Sequence, residues 1–322
     1  RPPRSTLFPY TTLFRSGFPF LIMADGPAGL RLAKEYYEDD KGKHAVGSTA
    51  MPASLQEMLS GPMKLVMSLM GGSSKPKPGC EIKTQYCTAI PIGTALAQSF
   101  DLTFVEQCGD IVGEEMERFG VHLWLAPALN IHRSIRCGRN FEYYSEDPLV
   151  SGKMAAAMTR GVQAHKGCGT TIKHYAANNK EYNRYRNNSI VSERAMREIY
   201  LKGFGICVRE AQPKAVMTSY NLLNGTHTAE SRGLIMDILR AEFGYEGIVM
   251  TDWVTPMADT RSAHRDSQAQ YVAAAGGDLF MPGNKGDYDN LLQGIDSGAV
   301  SLEQVKINAS RVVRMARALA QE

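Results

Sequence analysis

The sequence predicts a TIM-type (β/α)8 barrel, on three observations. Six short apolar segments alternate with stretches of helical periodicity, the pattern of a parallel α/β protein. Each apolar segment runs straight into polar side chains, as strands do where the following loops build a pocket. No Gly-rich phosphate fingerprint follows the first segment, which argues against a doubly wound dinucleotide fold. The 322 residues, 43% of them hydrophobic, can bury one large core. No apolar run is long enough to span a bilayer, so no membrane partner is expected.

The first sixteen residues stand apart. Arg1 to Ser16 (RPPRSTLFPYTTLFRS) resemble a translated sequencing adapter and carry three Arg and no acid. A basic arm or signal remnant is the alternative, but neither an apolar core nor a small-residue cleavage site is present. The genuine chain, 17–322, is therefore expected to begin upstream of Gly17 and to be incomplete. Without Arg1 to Ser16 the net charge of +3 falls to zero. With no Lys/Arg stripe elsewhere, no nucleic-acid partner is expected. Six Cys without a C-x-x-C pair or zinc spacing read as reduced thiols in a cytoplasmic protein.

The chain in order starts with an apolar strand, Phe18 to Ala24, ending in Asp25-Gly-Pro-Ala-Gly-Leu-Arg31. Residues 33–86 read as an insertion in the first βα loop, with a charged start and a GGSSKPKPG linker. Its Met-rich part, Ser54 to Met70, has partly helical spacing at Leu55, Met58, Leu59, Val66, Leu69 and Met70. A small helix forming a lid or interface is the expectation. Helices follow at Ala95 to Phe100 and Phe104 to Phe119, then a strand at Val121 to Ala126. The loop Pro127 to Pro148 is long and dense in polar groups, including Asn130-Ile-His132-Arg133, and long loops in compact domains tend to be functional. Next come a helix from Val150 to His165, a strand from Thr170 to Lys173, and a helix from Ser192 to Arg209. A strand at Ala215 to Met217 and a helix at Leu234 to Phe243 lead to the strand Ile248 to Met250. A helix at Ser267 to Ala275, a strand at Asp278 to Met281 and a last helix from Ser301 to about Ala318 complete the pattern.

The strand mouths collect Asp25, Arg31, Arg139, Lys173, His174, Arg184, Tyr220, Asp252 and Trp253. Taken singly, several have plain structural readings. Asp25 before Gly-Pro is a turn former, Asp252 suits a helix N-cap or turn, and Lys173–His174 suits a satisfied strand end. Together they pair flat aromatic faces with charged hydrogen-bonding groups, which matches sugar rings with hydroxyl edges and C–H faces. The cations are expected to lower the pKa of a neighbouring carboxylate and keep it ionised, as nucleophilic attack on an anomeric carbon requires.

Five segments in order, DGPAGLR (25–31), GRNFEYYSEDP (138–148), KHYAANNKE (173–181) with Arg184, MTSYN (217–221) and VMTDW (249–253), resemble glycoside hydrolase family 3. The resemblance runs from about Gly17 to the last helix and is nearest the β-glucosidase branch. It implies a barrel domain in which Asp252 is the nucleophile forming a covalent glycosyl-enzyme. Asp25 matches the carboxylate gripping the outer sugar hydroxyls. Arg31, Arg139, Lys173, His174 and Arg184 match the other hydroxyl-binding groups. Tyr220 matches the phenol beside the nucleophile, and Met217 and Trp253 match apolar walls. The implied partner is a small β-glucoside or oligosaccharide, with no cofactor and no metal; homo-oligomerisation stays open.

The chain departs from the family pattern at Lys180, where Gln is expected, and at Ile135-Arg136, where Pro-Leu is common. KHYAANN also differs from the KHFPGHG-like loop of the N-acetylglucosaminidase branch. The resemblance further implies an acid/base Glu on a separate α/β sandwich domain that these 322 residues do not include. Such a fragment is expected to turn over unactivated substrates weakly or not at all. The rivals are a β-xylosidase of the same family, an inert carbohydrate-binding barrel, and a metal hydrolase using Asp25, His174 and Asp252, for which no His-x-His pair is present.

Overall fold

Alternation along the strands decides which side chains fill the centre of this fold. The structure, a computed structural model, describes residues 21–39, 42–46, 79–253 and 265–320. The stretch Arg1 to Ser16 and the expected lid helix between Ser54 and Met70 lie outside them. Five parallel strands, Met23–Ala24, Leu123–Trp124, Gly169–Tyr175, Ala215–Thr218 and Ile248–Met250, pair in chain order. A parallel bridge from Met250 to Leu279 adds a sixth position. Each strand lies beside its predecessor with no reversal of order, the winding of a TIM-type barrel and not of a doubly wound sheet.

Odd and even positions separate cleanly. Met23, Leu123, Leu125, Ala215, Met217, Ile248 and Met250 share one apolar cluster, to which Val312 and Leu319 of the last helix contribute. Their immediate neighbours Ala24, Trp124, Ala126, Val216 and Val249 pack in a larger cluster with the surrounding helices. This period of two is what a strand buried on both faces produces. The longest strand, Gly169–Tyr175, is buried at every residue.

Helix Leu102–Phe119 begins where the Asp101 side chain accepts from the Phe104 amide and ends at Gly120, whose φ of 71° is left-handed. It buries Val105, Cys108, Val112 and Met116, one helical stripe. Helix Pro148–Gln163 packs directly on it. A Cβ at Gly161 would lie 2.1 Å from the Glu106 carbonyl, so the two backbones touch there. Helix Pro148–Gln163 packs in turn on the strand Gly169–Tyr175.

Several elements differ from expectation. The inserted segment carries strands, with Glu35–Asp39 pairing antiparallel to Gly42–Val46 and to Lys83–Thr84. Tyr36, Tyr37 and Val46 give that stretch its β-propensity. The expected strand from Asp278 to Met281 reduces to the Leu279 bridge, because the Met281 amide donates to the Thr251 hydroxyl instead of a neighbouring strand. The helix expected from Ser192 widens into a π turn at Met196–Tyr200 before Lys202–Ala211, and Gly233–Glu242 is π-wound. A helix at Lys285–Asp296, not anticipated, starts with a capping box between Asn284 and Asp287. A small sheet of Asn188–Ser189, Leu222–Leu223 and Thr226–His227 ties the loop after Tyr175 to the loop after Thr218. That tie brings the Arg184 segment beside Tyr220. All six Cys are free thiols, and no described helix is long and apolar enough to cross a membrane.

Candidate active site

The strand ends deliver their polar residues to one place. Lys173 and His174, near the end of Gly169–Tyr175, are 4% and 1% exposed. Such burial of a lysine demands a counter-charge. Asp25, just past Met23–Ala24, supplies it, with Lys173 Nζ 2.8 Å from Asp25 Oδ1. The Asp25–Arg31 loop is closed by the Arg31 amide donating to the Asp25 carbonyl at 2.7 Å. The buried Trp124 indole donates to the Gly26 carbonyl at 2.8 Å. Arg31, half-exposed at the rim, reaches to 3.6 Å from Asp25 Oδ2. Burial pushes the Asp25 carboxyl upward, but Lys173, Arg31 and the Gly26 amide outweigh it and hold the pKa at about 2. The local turn reading of Asp25 is thus incomplete, because its backbone makes the turn while its side chain enters the pocket.

Asp252 stands two residues beyond the strand Ile248–Met250. Its Oδ1 accepts from the Trp253 amide at 2.7 Å. Its Oδ2 is buried, has no hydrogen-bond partner among the described residues, and lies 3.8 Å from His174 Nε2. Burial raises the Asp252 pKa above 3.8, against the downward pull of Lys173, the Trp253 amide, Arg139 and Tyr220. This corrects the expectation that the surrounding cations hold the carboxyl low. They do so at Asp25, but at Asp252 desolvation wins. His174 is held well below its usual pKa by burial, then by Arg139, Lys173 and Arg184, and is a neutral imidazole.

The Tyr220 hydroxyl donates to the Trp253 carbonyl at 2.9 Å. Burial raises the phenol pKa, with the Asp252 charge adding to it, so Tyr220 keeps its proton. Its ring meets Tyr185 at 4.6 Å between centroids, and the Arg184 guanidinium lies 5.1 Å from the Tyr220 ring centre. Trp253 packs against the central apolar cluster. Met217, 2% exposed, belongs to that cluster and forms part of the apolar layer beneath the polar groups.

Two acids not singled out from the sequence organise the arginines. Glu142, 6% exposed, accepts from Arg139 Nε, and Glu181 lies 4.0 Å from Arg139 Nη1. Glu181 also accepts from Arg184 Nη1 at 2.9 Å, so one carboxylate spans both cations. Burial works against the charge on Arg139, but Tyr143, Glu142 and Glu181 outweigh it. Both glutamates lie inside the segments GRNFEYYSEDP and KHYAANNKE. Their pairings with Arg139 and Arg184 are local, three residues apart, and only the Glu181–Arg139 contact is set by how the two loops fold together.

The pocket therefore presents one carboxylate locked to a lysine, one carboxylate whose buried oxygen has no hydrogen-bond partner among the described residues, a neutral imidazole and three arginines. The Asp25 carboxylate is engaged by Lys173. Among the described residues no group of three or more His, Cys, Asp or Glu could hold a metal ion. Hydrogen-bonding cations ringed around one reactive carboxylate suit recognition of a polyhydroxylated substrate and attack at an electrophilic carbon.

Known proteins share this arrangement of sequence and fold. The profile described as the glycosyl hydrolase family 3 N terminal domain matches residues 49–315. The chain is 51% identical to beta-glucosidase A of Butyrivibrio fibrisolvens over 166 residues, 52% of this chain and 20% of that protein. It is 33% identical to thermostable beta-glucosidase B of Acetivibrio thermocellus over 302 residues, 94% of this chain and 33% of that one. Beta-glucosidase 3B of Thermotoga neapolitana, solved with glycerol, superposes with a TM-score of 0.77 at 34% identity, covering 98% of this chain and 39% of that one. The same enzyme solved with glucose gives a TM-score of 0.72 at 34% identity, covering 97% and 36%. The chain thus spans a fifth to a third of these two curated relatives. With a family profile that covers most of its length, the chain belongs to the glycosyl hydrolase family 3 N-terminal domain family.

Proposed function

We propose that this chain is the sugar-binding, nucleophile-bearing barrel of a retaining β-glucosidase that releases terminal non-reducing β-D-glucosyl residues. The observation that carries the reading is Asp252 Oδ2, a buried carboxylate oxygen beside a neutral imidazole and without a hydrogen-bond partner among the described residues. In the first step Oδ2 bonds to the anomeric carbon and the bond to the leaving oxygen breaks. The electron pair departs with that oxygen, which takes a proton. In the second step water attacks the same carbon, loses its proton to a base and frees Asp252. Asp25, Arg31, Arg139, Lys173, His174 and Arg184 bind the sugar hydroxyls. Tyr220 lies beside the nucleophile, and Met217 and Trp253 line the apolar side. We place the leaving-group acid outside these strand ends, because Glu142 and Glu181 are already engaged by arginines.

Mechanism-based trapping tests the reading. A 2-deoxy-2-fluoro-β-glucosyl donor with an activated aryl leaving group needs little acid assistance, so labelling reports the nucleophile alone. Peptide mass mapping is expected to place the glucosyl adduct on Asp252, and Asp252→Asn is expected to abolish it. A folded chain that stays unlabelled at saturating donor, or is labelled elsewhere, would sink the proposal.

A further inference from the structure

The loop before the Pro148–Gln163 helix contains a buried amide that none of the sugar-contacting roles uses. Asn130, 2% exposed, makes three hydrogen bonds to one residue. Its Nδ2 donates to the His174 carbonyl at 2.8 Å, and its Oδ1 accepts from the His174 amide at 2.8 Å. Those two backbone groups have fixed polarity, so the orientation of the Asn130 amide is determined without reference to the ring. The same Oδ1 lies 3.2 Å from His174 Nδ1. Since Oδ1 can only accept, Nδ1 must donate. The competing neighbour of Nδ1, the Tyr143 hydroxyl, is 3.5 Å away, at the edge of hydrogen-bond range.

We infer that Asn130 is a positioning residue that fixes His174 as the Nδ1–H tautomer, so that Nε2 faces Asp252 as a bare acceptor. The consequence for chemistry is direct. With Nε2 bare, His174 cannot donate to Asp252 Oδ2 across the 3.8 Å gap. Oδ2 keeps its electron density for attack, in keeping with its having no hydrogen-bond partner among the described residues. The opposite tautomer would place an N–H against the nucleophilic oxygen and blunt it. Bare Nε2 also offers a substrate hydroxyl an acceptor. This consequence rests on the glycosidase reading; the tautomer itself does not.

The charged and titratable groups facing the imidazole are Arg139, Lys173, Arg184, Asp252 and Tyr143. Burial and the three cations outweigh the opposing Asp252 carboxylate and favour the neutral ring, so the tautomer is the variable Asn130 has to decide.

Nitrogen-15 NMR of the histidine-labelled chain, with the His174 signal assigned by its loss in His174→Gln, tests this without substrate or turnover. The expected spectrum shows His174 Nδ1 protonated and Nε2 unprotonated at neutral pH. A protonated Nε2 overturns the inference, whatever the chain does to glucosides. A second arm uses the trapping rate. Asn130→Leu is expected to slow labelling by up to about 100-fold, in the range for a misplaced catalytic geometry. Asn130→Asp keeps the Nδ1–H acceptor but adds a charge that favours a doubly protonated ring. Its labelling rate is expected to be low at acid pH and to recover as pH rises. Wild-type rates in both variants would also refute the role.

Discussion

Replacing Asp278 by Ala tests what holds the Asp252 strand in place. The Asp278 side chain is completely buried and accepts from Arg240 Nη2 at 2.6 Å, Arg311 Nη1 at 3.1 Å and the Val249 amide at 2.8 Å. Val249 lies three residues before Asp252, and Arg311 lies on the last helix, so one carboxylate joins the strand, the Gly233–Glu242 helix and the chain's final element. Removing it leaves two guanidiniums, 8% and 12% exposed, without their counter-charge, and one backbone donor without an acceptor. Breaking one side of a buried ion pair costs about 3–5 kcal/mol, because the surviving charge stays desolvated. At about 2 °C per kcal/mol for a large domain, Tm should fall by roughly 6–10 °C. Urea unfolding of the chain and of Asp278→Ala, Arg311→Ala and the double variant gives both the loss and the coupling. A coupling above about 1 kcal/mol is expected for residues in direct contact. A loss below about 1 kcal/mol, or strict additivity, would refute the argument that this carboxylate is the tie.

Three further outcomes follow from the geometry. In Lys173→Met the acid limb of the Asp252 trapping rate should move to higher pH, since Lys173 is the largest influence pulling that carboxyl down and the reactive form is ionised; an unmoved limb would show that Lys173 does not act on Asp252. Glu181→Gln removes the carboxylate shared by Arg139 and Arg184 and should weaken glucose binding in calorimetry by about 1–2 kcal/mol, roughly 5- to 30-fold. Burial lowers the His165 pKa, but hydrogen bonds to Glu117 and Asp110 outweigh it and leave it raised above 6.5. The clamp therefore contributes fully below pH 6.5 and is lost as pH climbs through the folded value. Its partners are solvent-exposed, so it is worth less than about 1 kcal/mol; the Tm gap between the chain and His165→Gln should shrink towards alkaline pH.

Patterning along the chain determined the barrel, because burial on both faces of a parallel strand leaves a run that local reading can find. Ile248 to Met250 and Ala215 to Met217 are such runs, and the polar residue ending each run marks the pocket side. Asp252, Lys173 and His174 were visible for that reason. The helix at Lys285–Asp296 escaped because it buries only Gly294 and so shows no apolar stripe; its one local cue was the Asn284…Asp287 capping box. The strands at Glu35–Asp39 and Gly42–Val46 were hidden in a charged stretch whose pairing partner Lys83–Thr84 lies more than forty residues away.

What the sequence by itself determined is the set of groups at the strand ends and their order. Only the tertiary structure decided their states. Asp25 and Asp252 are the same residue type and both feel the charge of Lys173. One is held at about pKa 2 by a lysine 2.8 Å away and the other is pushed up by burial. Likewise Asn130 acquires its role from His174, and Glu181 its bridging role from Arg139, across loops that meet only in the fold. Desolvation and hydrogen-bond geometry depend on distance and enclosure, and neither is written in the spacing of residues along the chain.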